Sequence, residues 1–128
     1  MKLLLDTHIF LWWIMGSDRL SPAARAAIDD PANDVFLSSI AAVEIAAKFQ
    51  SGKLRLSASP DEIFAAATAG GIVQELPLVI AHALRLATLP LHHRDPFDRL
   101  LIAQAMTENS ILVTADRRLA VYDVKMLT

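Results

Sequence analysis

The chain has 128 residues, no cysteine, and a formal net charge of −2 from 12 basic and 14 acidic side chains. That length fits a single domain, 1–128, large enough to bury its own core. Hydrophobic residues at 54% against 20% charged exclude intrinsic disorder. The missing thiols exclude disulfides, a thiolate zinc site, an iron–sulfur cluster and a cysteine nucleophile, and the acidic balance argues against coating nucleic acid by bulk positive charge.

Lys2–Leu5 is a short apolar run that suits a buried strand. It begins like a signal peptide, but Asp6 stops it. His8–Met15 is helix-compatible and ends at Gly16; the apolar run 9–15 is far short of the ~20 residues a membrane span needs. A soluble, cytoplasmic protein without membrane association is expected. Ser21-Pro22 caps and opens an alanine-rich helix that stops before Pro31. Val35–Leu37 is a second strand, and Ser38-Ser39 caps a helix over Ile40–Gln50 that Gly52 closes. Ser59-Pro60-Asp61-Glu62 starts another helix, ending at Gly70-Gly71. Ile72–Leu76 reads as a third strand, Val79–Ala87 as a helix, and Leu89–Arg94 as a loop. Asp95-Pro96 opens a long helix to about Glu108, which Asn109 breaks. Ile111–Val113 is a fourth strand, Asp116–Leu119 a helical turn, and Val124–Leu127 a fifth, edge strand. Strands separated by helices imply parallel pairing through right-handed crossovers, hence a three-layer α/β/α domain with a central parallel sheet of four to five strands. Ligands of such sheets sit beyond the carboxyl ends of the strands.

Acidic residues cluster where that rule points. Asp6 follows the first strand and Asp116 the fourth. Glu44 lies early in the helix after the second strand, and Asp95 and Asp98 open the helix leading into the fourth. Each has a plain structural reading. Asp6 and Asp116 suit helix caps, and Asp95-Pro96-Phe97-Asp98 has the form of a helix N-terminus. Asp98 favours the helix dipole, and Glu44 can pair with Lys48 one turn on. Glu44 resists that reading best, because Ala42, Val43, Ile45 and Ala46 around it look buried and an unpaired buried charge is costly. Taken together, carboxylates ~4 Å apart repel by about 4 kcal/mol per pair at an effective dielectric of 20. Either some are protonated or a divalent cation lies among them. An all-oxygen set favours Mg²⁺ or Mn²⁺ over zinc.

Four stretches carry a resemblance: Leu3-Leu4-Leu5-Asp6-Thr7-His8; Ser38 to Ile45; His93-Arg94-Asp95-Pro96-Phe97-Asp98-Arg99 and on to Ala105; and Leu112 to Asp116. In order and spacing they resemble PIN-domain ribonucleases, and more narrowly the VapC-type toxins of type II toxin–antitoxin pairs. The resemblance implies a PIN-like sheet of order 3-2-1-4-5 and an endoribonuclease dependent on Mg²⁺ or Mn²⁺. It would hydrolyse phosphodiester bonds of single-stranded or loop RNA with a metal-activated water, leaving 5′-phosphate and 3′-hydroxyl ends. It implies a catalytic and metal-binding quartet at Asp6, Glu44, Asp98 and Asp116, with Asp95 and Thr114 in supporting places. It also implies a homodimer and inhibition by a small VapB-type antitoxin.

Lys48, Lys53, Arg55, Arg94, Arg99, Arg117 and Arg118 either steer RNA phosphates or are ordinary solvated charge, and Arg99 has the alternative of pairing with a neighbouring carboxylate. His8, His92 and His93 have a functional reading, RNA contact or proton transfer, but surface or packing roles are expected, since family sites of this kind need no histidine. Trp12 and Trp13 are adjacent and point apart on a helix. One is expected in the core; the other, with Phe10, Ile14 or Met15, is expected to form a groove for an antitoxin helix. Two other functions compete. A catalytically silent PIN module binding RNA or protein would have no reason to keep four mutually repelling acids. A phosphatase of the haloacid-dehalogenase type would want an aspartate two residues after Asp6, where His8 stands.

Overall fold

The computed structural model describes residues 1–128. Its elements run β1 (Lys2–Leu5), α1 (Thr7–Met15), α2 (Pro22–Asp29), β2 (Asp34–Ser38), α3 (Ser39–Gln50), α4 (Pro60–Ala69), β3 (Val73–Leu76), α5 (Ile80–Arg85), α6 (Pro96–Thr107), β4 (Ile111–Val113) and β5 (Met126–Leu127). Short 3₁₀ turns cover Leu86–Thr88 and Arg117–Val121. All five strands are parallel, in the order β3-β2-β1-β4-β5, as the strand–helix alternation implies. β1 is central: Leu5 stands beside Leu37 of β2 and Val113 of β4.

Side chains alternate across a strand, so β1 feeds two cores. Leu3 and Leu5 pack with Phe10, Val35, Leu37, Ala41 and Ile45 on one face. Leu4 packs with Leu112, Leu101, Ile102, Ala105 and Tyr122 on the other. Both faces are covered, which is why the strands read as unbroken apolar runs. The predicted helix starts hold: Ser21, Ser59 and Asp95 cap α2, α4 and α6, each ahead of a proline in the first turn.

The structure corrects several details. The helix expected over Val79–Ala87 is α-helical only to Arg85 and then tightens into the 3₁₀ turn, and the edge strand has two residues. Val43 is 58% exposed, and Ala46 is exposed, instead of buried. Apolar residues occur on every side of α3, and only the side carrying Ile40, Ala41, Glu44 and Ile45 is buried. Neither tryptophan fills the core; both are partly buried, and Phe10 takes that place. No helix is long and apolar enough to cross a membrane.

Candidate active site

The carboxyl ends of β1, β2 and β4 lie side by side; the chain leaves β1 directly into Asp6 and β4 into Thr114, whereas β2 leads into α3, which carries Glu44. The Asp6 amide donates to the Val113 carbonyl (3.0 Å), extending the β1–β4 ladder by one step. Its carboxylate then caps α1, accepting from the Ile9 amide at 2.8 Å. Asp6 is thus both a helix cap and a site residue. Burial pushes its pKa up, against the opposing pull of the Thr114 hydroxyl and the Ile9 amide. Thr114 is fully buried beyond β4, and its hydroxyl accepts from the Asp116 amide at 3.1 Å.

Glu44 is 7% exposed. Its Oε1 accepts from the Thr7 hydroxyl and its Oε2 from the Lys48 ammonium, each at 2.6 Å. Both the one-turn pairing with Lys48 and the need for a compensating partner are therefore met. Asp95 caps α6, accepting from the Phe97 and Asp98 amides, and its role in the fold is structural. The cap aims the first turn of α6 so that Asp98 faces the strand ends. Asp98 Oδ2 lies 2.8 Å from His93 Nε2. Burial raises the Asp98 pKa, the His93 hydrogen bond opposes that rise, and the charges of Asp95 and Glu44 add to it. Asp116 differs. Arg118 grips both its oxygens, Nε to Oδ1 at 2.9 Å and Nη2 to Oδ2 at 2.8 Å, which holds its pKa low.

Ligand atoms of His93, Asp98 and Asp116 all lie within 4.8 Å of one another. Asp6 and Glu44 stand outside that tight group, yet the charge of Glu44 raises the Asp98 pKa and the charge of Asp98 in turn raises that of Asp6. Asp98 is therefore the hub of the constellation. Two acids lifted by burial, two more beside them, and one imidazole form a donor set of hard oxygens and one nitrogen that suits a small divalent cation.

The sequence matches the PIN domain family over residues 3–125. It is also 35% identical over 119 residues to Ribonuclease VapC22 of Mycobacterium tuberculosis, covering 91% of this chain and 88% of that one. The chain is a VapC-type member of the PIN-domain family. Among solved structures, its fold is similar to VapBC2 from Rickettsia felis bound to a promoter DNA fragment (TM-score 0.74, 15% identity, 99% of this chain and 98% of that one). It is also similar to VapBC-1 from nontypeable Haemophilus influenzae (TM-score 0.67, 17% identity, 99% and 97%).

For this PIN-domain chain, the structure brings Asp6, Glu44, Asp98 and Asp116 to one end of the sheet. The basic residues are more divided. Lys48 is committed to Glu44, and Arg99 donates to the Pro90 carbonyl at 2.9 Å, tying down the loop ahead of α6. Arg94 and Arg117 are exposed. Sequence reasoning gave two participants other roles. His93, expected on the surface or in packing, sits against Asp98; its position five residues ahead, across the Asp95-Pro96 turn, is the only signal that could have found it. Arg118, read as a phosphate contact or solvated charge, instead pairs with both Asp116 oxygens, leaving Oδ2 a lone pair for an ion, and its spacing of two residues from that acid was the available hint.

Proposed function

We propose that the chain, acting as one PIN domain over residues 1–128, is a Mg²⁺- or Mn²⁺-dependent endoribonuclease, the toxin of a toxin–antitoxin pair working in the cytoplasm. It cuts single-stranded or loop RNA, leaving 5′-phosphate and 3′-hydroxyl ends. The observation that carries this reading is the convergence of Asp6, Glu44, Asp98 and Asp116, from four separate elements, around Asp98, with the pKa values of Asp6 and Asp98 raised. Such a site is electrostatically unfavourable alone and becomes favourable around a cation. A bound divalent ion supplies an activated water and neutralises charge at the leaving oxygen. Asp98, Asp116 and Asp6 would hold the ion. Glu44, steadied by Thr7 and Lys48, adds negative charge and fixes the α3 wall. Thr114 positions the Asp116 backbone, and Arg94 and Arg117 are free to meet phosphates.

The partner reading rests on the family and on two surfaces. An apolar groove of about 560 Å³ runs between α1 and α4, lined by Trp13, Ile14, Met15, Leu56, Ile63 and Ile72 among others. It is suited to an apolar antitoxin segment. Ile80 and Leu84, one turn apart on α5, are 77% and 67% exposed and supply a homodimer face. The nuclease reading is tested with purified protein and labelled RNA. Cleavage is expected with Mg²⁺ or Mn²⁺, and none with a chelator or in Asp6→Asn and Asp98→Asn. Full cleavage by Asp98→Asn in chelator would overturn it.

A further inference from the structure

The structure assigns His93 as a nitrogen donor to the divalent ion, making this a mixed nitrogen–oxygen centre that holds Mn²⁺ in preference to Mg²⁺. This inference rests on the proposed metal site and concerns which atoms complete it. Three observations carry it. First, His93 Nε2 and Asp98 Oδ2 are 2.8 Å apart, close to the ~3 Å that separates neighbouring donors when each binds one ion at about 2.1 Å. Second, the donor atoms of His93, Asp98 and Asp116 all fall within 4.8 Å of one another, a few tenths of an ångström beyond the ~4.2–4.4 Å span of opposite donors on such an ion. Modest inward side-chain movement closes the set. Third, Nδ1 of His93 makes no hydrogen bond within the protein; the ring bonds through Nε2 alone. The ring proton can therefore reside on Nδ1, leaving the Nε2 lone pair to the ion and both Asp98 oxygens as acceptors.

The alternative role, a hydrogen bond that only steadies Asp98 from behind, leaves Nε2 protonated and away from the ion. The two roles differ in metal selectivity. Imidazole suits transition metals, whereas carboxylate and water suit Mg²⁺ and Mn²⁺ alike. Losing an imidazole donor therefore penalises Mn²⁺ more than Mg²⁺.

The test uses the full chain loaded with Mn²⁺ and no RNA. Pulsed electron paramagnetic resonance should show the hyperfine coupling of one directly bound imidazole nitrogen. His93→Asn, whose amide can still hydrogen-bond Asp98, should lose that coupling. His8→Asn, altering an exposed histidine that acts electrostatically on Asp6, should keep it. By calorimetry, His93→Asn should weaken Mn²⁺ binding about tenfold or more and Mg²⁺ binding less than threefold. Mn²⁺ bound without nitrogen coupling in the unaltered protein, a measurement that needs no variant, overturns the His93 assignment and leaves the carboxylate site standing. If the unaltered protein binds no Mn²⁺ that Asp98→Asn removes, both readings fall.

Discussion

Asp98→Asn tests the electrostatic reasoning without any nuclease assay. Asp98 and Asp116 offer oxygens within 4.8 Å. Two full charges at that separation repel by about 0.9 kcal/mol in water and about 3.5 kcal/mol at an effective dielectric of 20. Arg118 compensates part of the Asp116 charge, so the lower half of that range applies. Burial and the charges of Asp95 and Glu44 add to the cost of ionising Asp98. Two effects oppose: the His93 hydrogen bond, of which the amide keeps a neutral version, and the favourable acid at the start of α6, worth about 0.3–1 kcal/mol. The raised pKa of Asp98 decides the direction, because it means that the surroundings as a whole disfavour the charge. In chelator at pH 7.5 and low salt, Asp98→Asn should be more stable by roughly 1–2 kcal/mol, a Tm rise of about 3–10 °C for a domain of this size. A carboxyl whose folded pKa is raised has no penalty below its unfolded value near 4 and loses stability as pH climbs to the folded value. The gain should therefore vanish near pH 3. Saturating Mn²⁺ should reverse the ranking, by stabilising only the unaltered protein. A variant less stable than its parent at pH 7.5, or a gain that persists unchanged at pH 3, would refute the reasoning.

Arg118→Ala should free both Asp116 oxygens, move the Asp116 pKa up toward its ordinary value by carboxyl NMR titration, and tighten Mg²⁺ binding by calorimetry. In the parent, the depressed Asp116 pKa gives stability that is present above the unfolded value and lost as pH falls through the folded one; the variant should show less of that acid-side loss. His82, 1% exposed, accepts the Val79 amide at Nδ1 and meets Glu108 through Nε2 at 2.8 Å. His82→Ala should cost about 2–4 kcal/mol in urea unfolding, by cavity and by unpaired groups. If the proposed homodimer forms through α5, Ile80→Glu with Leu84→Glu should give a monomer in light scattering where the unaltered protein gives a dimer.

The sheet was legible because each strand is a short apolar run closed by a polar or turn residue. The carboxyl-end rule then located the acids without knowing any contact. Asp95 was legible as a cap, since an acid ahead of proline at a helix start has few other uses. The buried side of α3 was not legible. Val43 and Ile45 are equally apolar, and only the sheet decides that Ile45 turns inward. Nor was His93, because the segment from Leu89 to Asp95 has no periodicity, and its path back over Asp98 depends on Arg99 holding the Pro90 carbonyl. Arg99 itself looked like a phosphate contact for the same reason. A cation's sequence neighbours do not reveal which carbonyl it will find.

Thr114 has no exposed surface, and its hydroxyl takes the Asp116 amide while facing the Asp6 carboxylate. With the Asp6 amide on the Val113 carbonyl, the tips of two adjacent parallel strands are stitched into one floor. The opposite lip, from Leu89 to Asp98, is held by side chains instead, Arg99 on the Pro90 carbonyl and His93 on Asp98. The spacing of the floor is therefore set by backbone pairing, and that of the lip by two side-chain bonds, one of which ends on a site carboxylate.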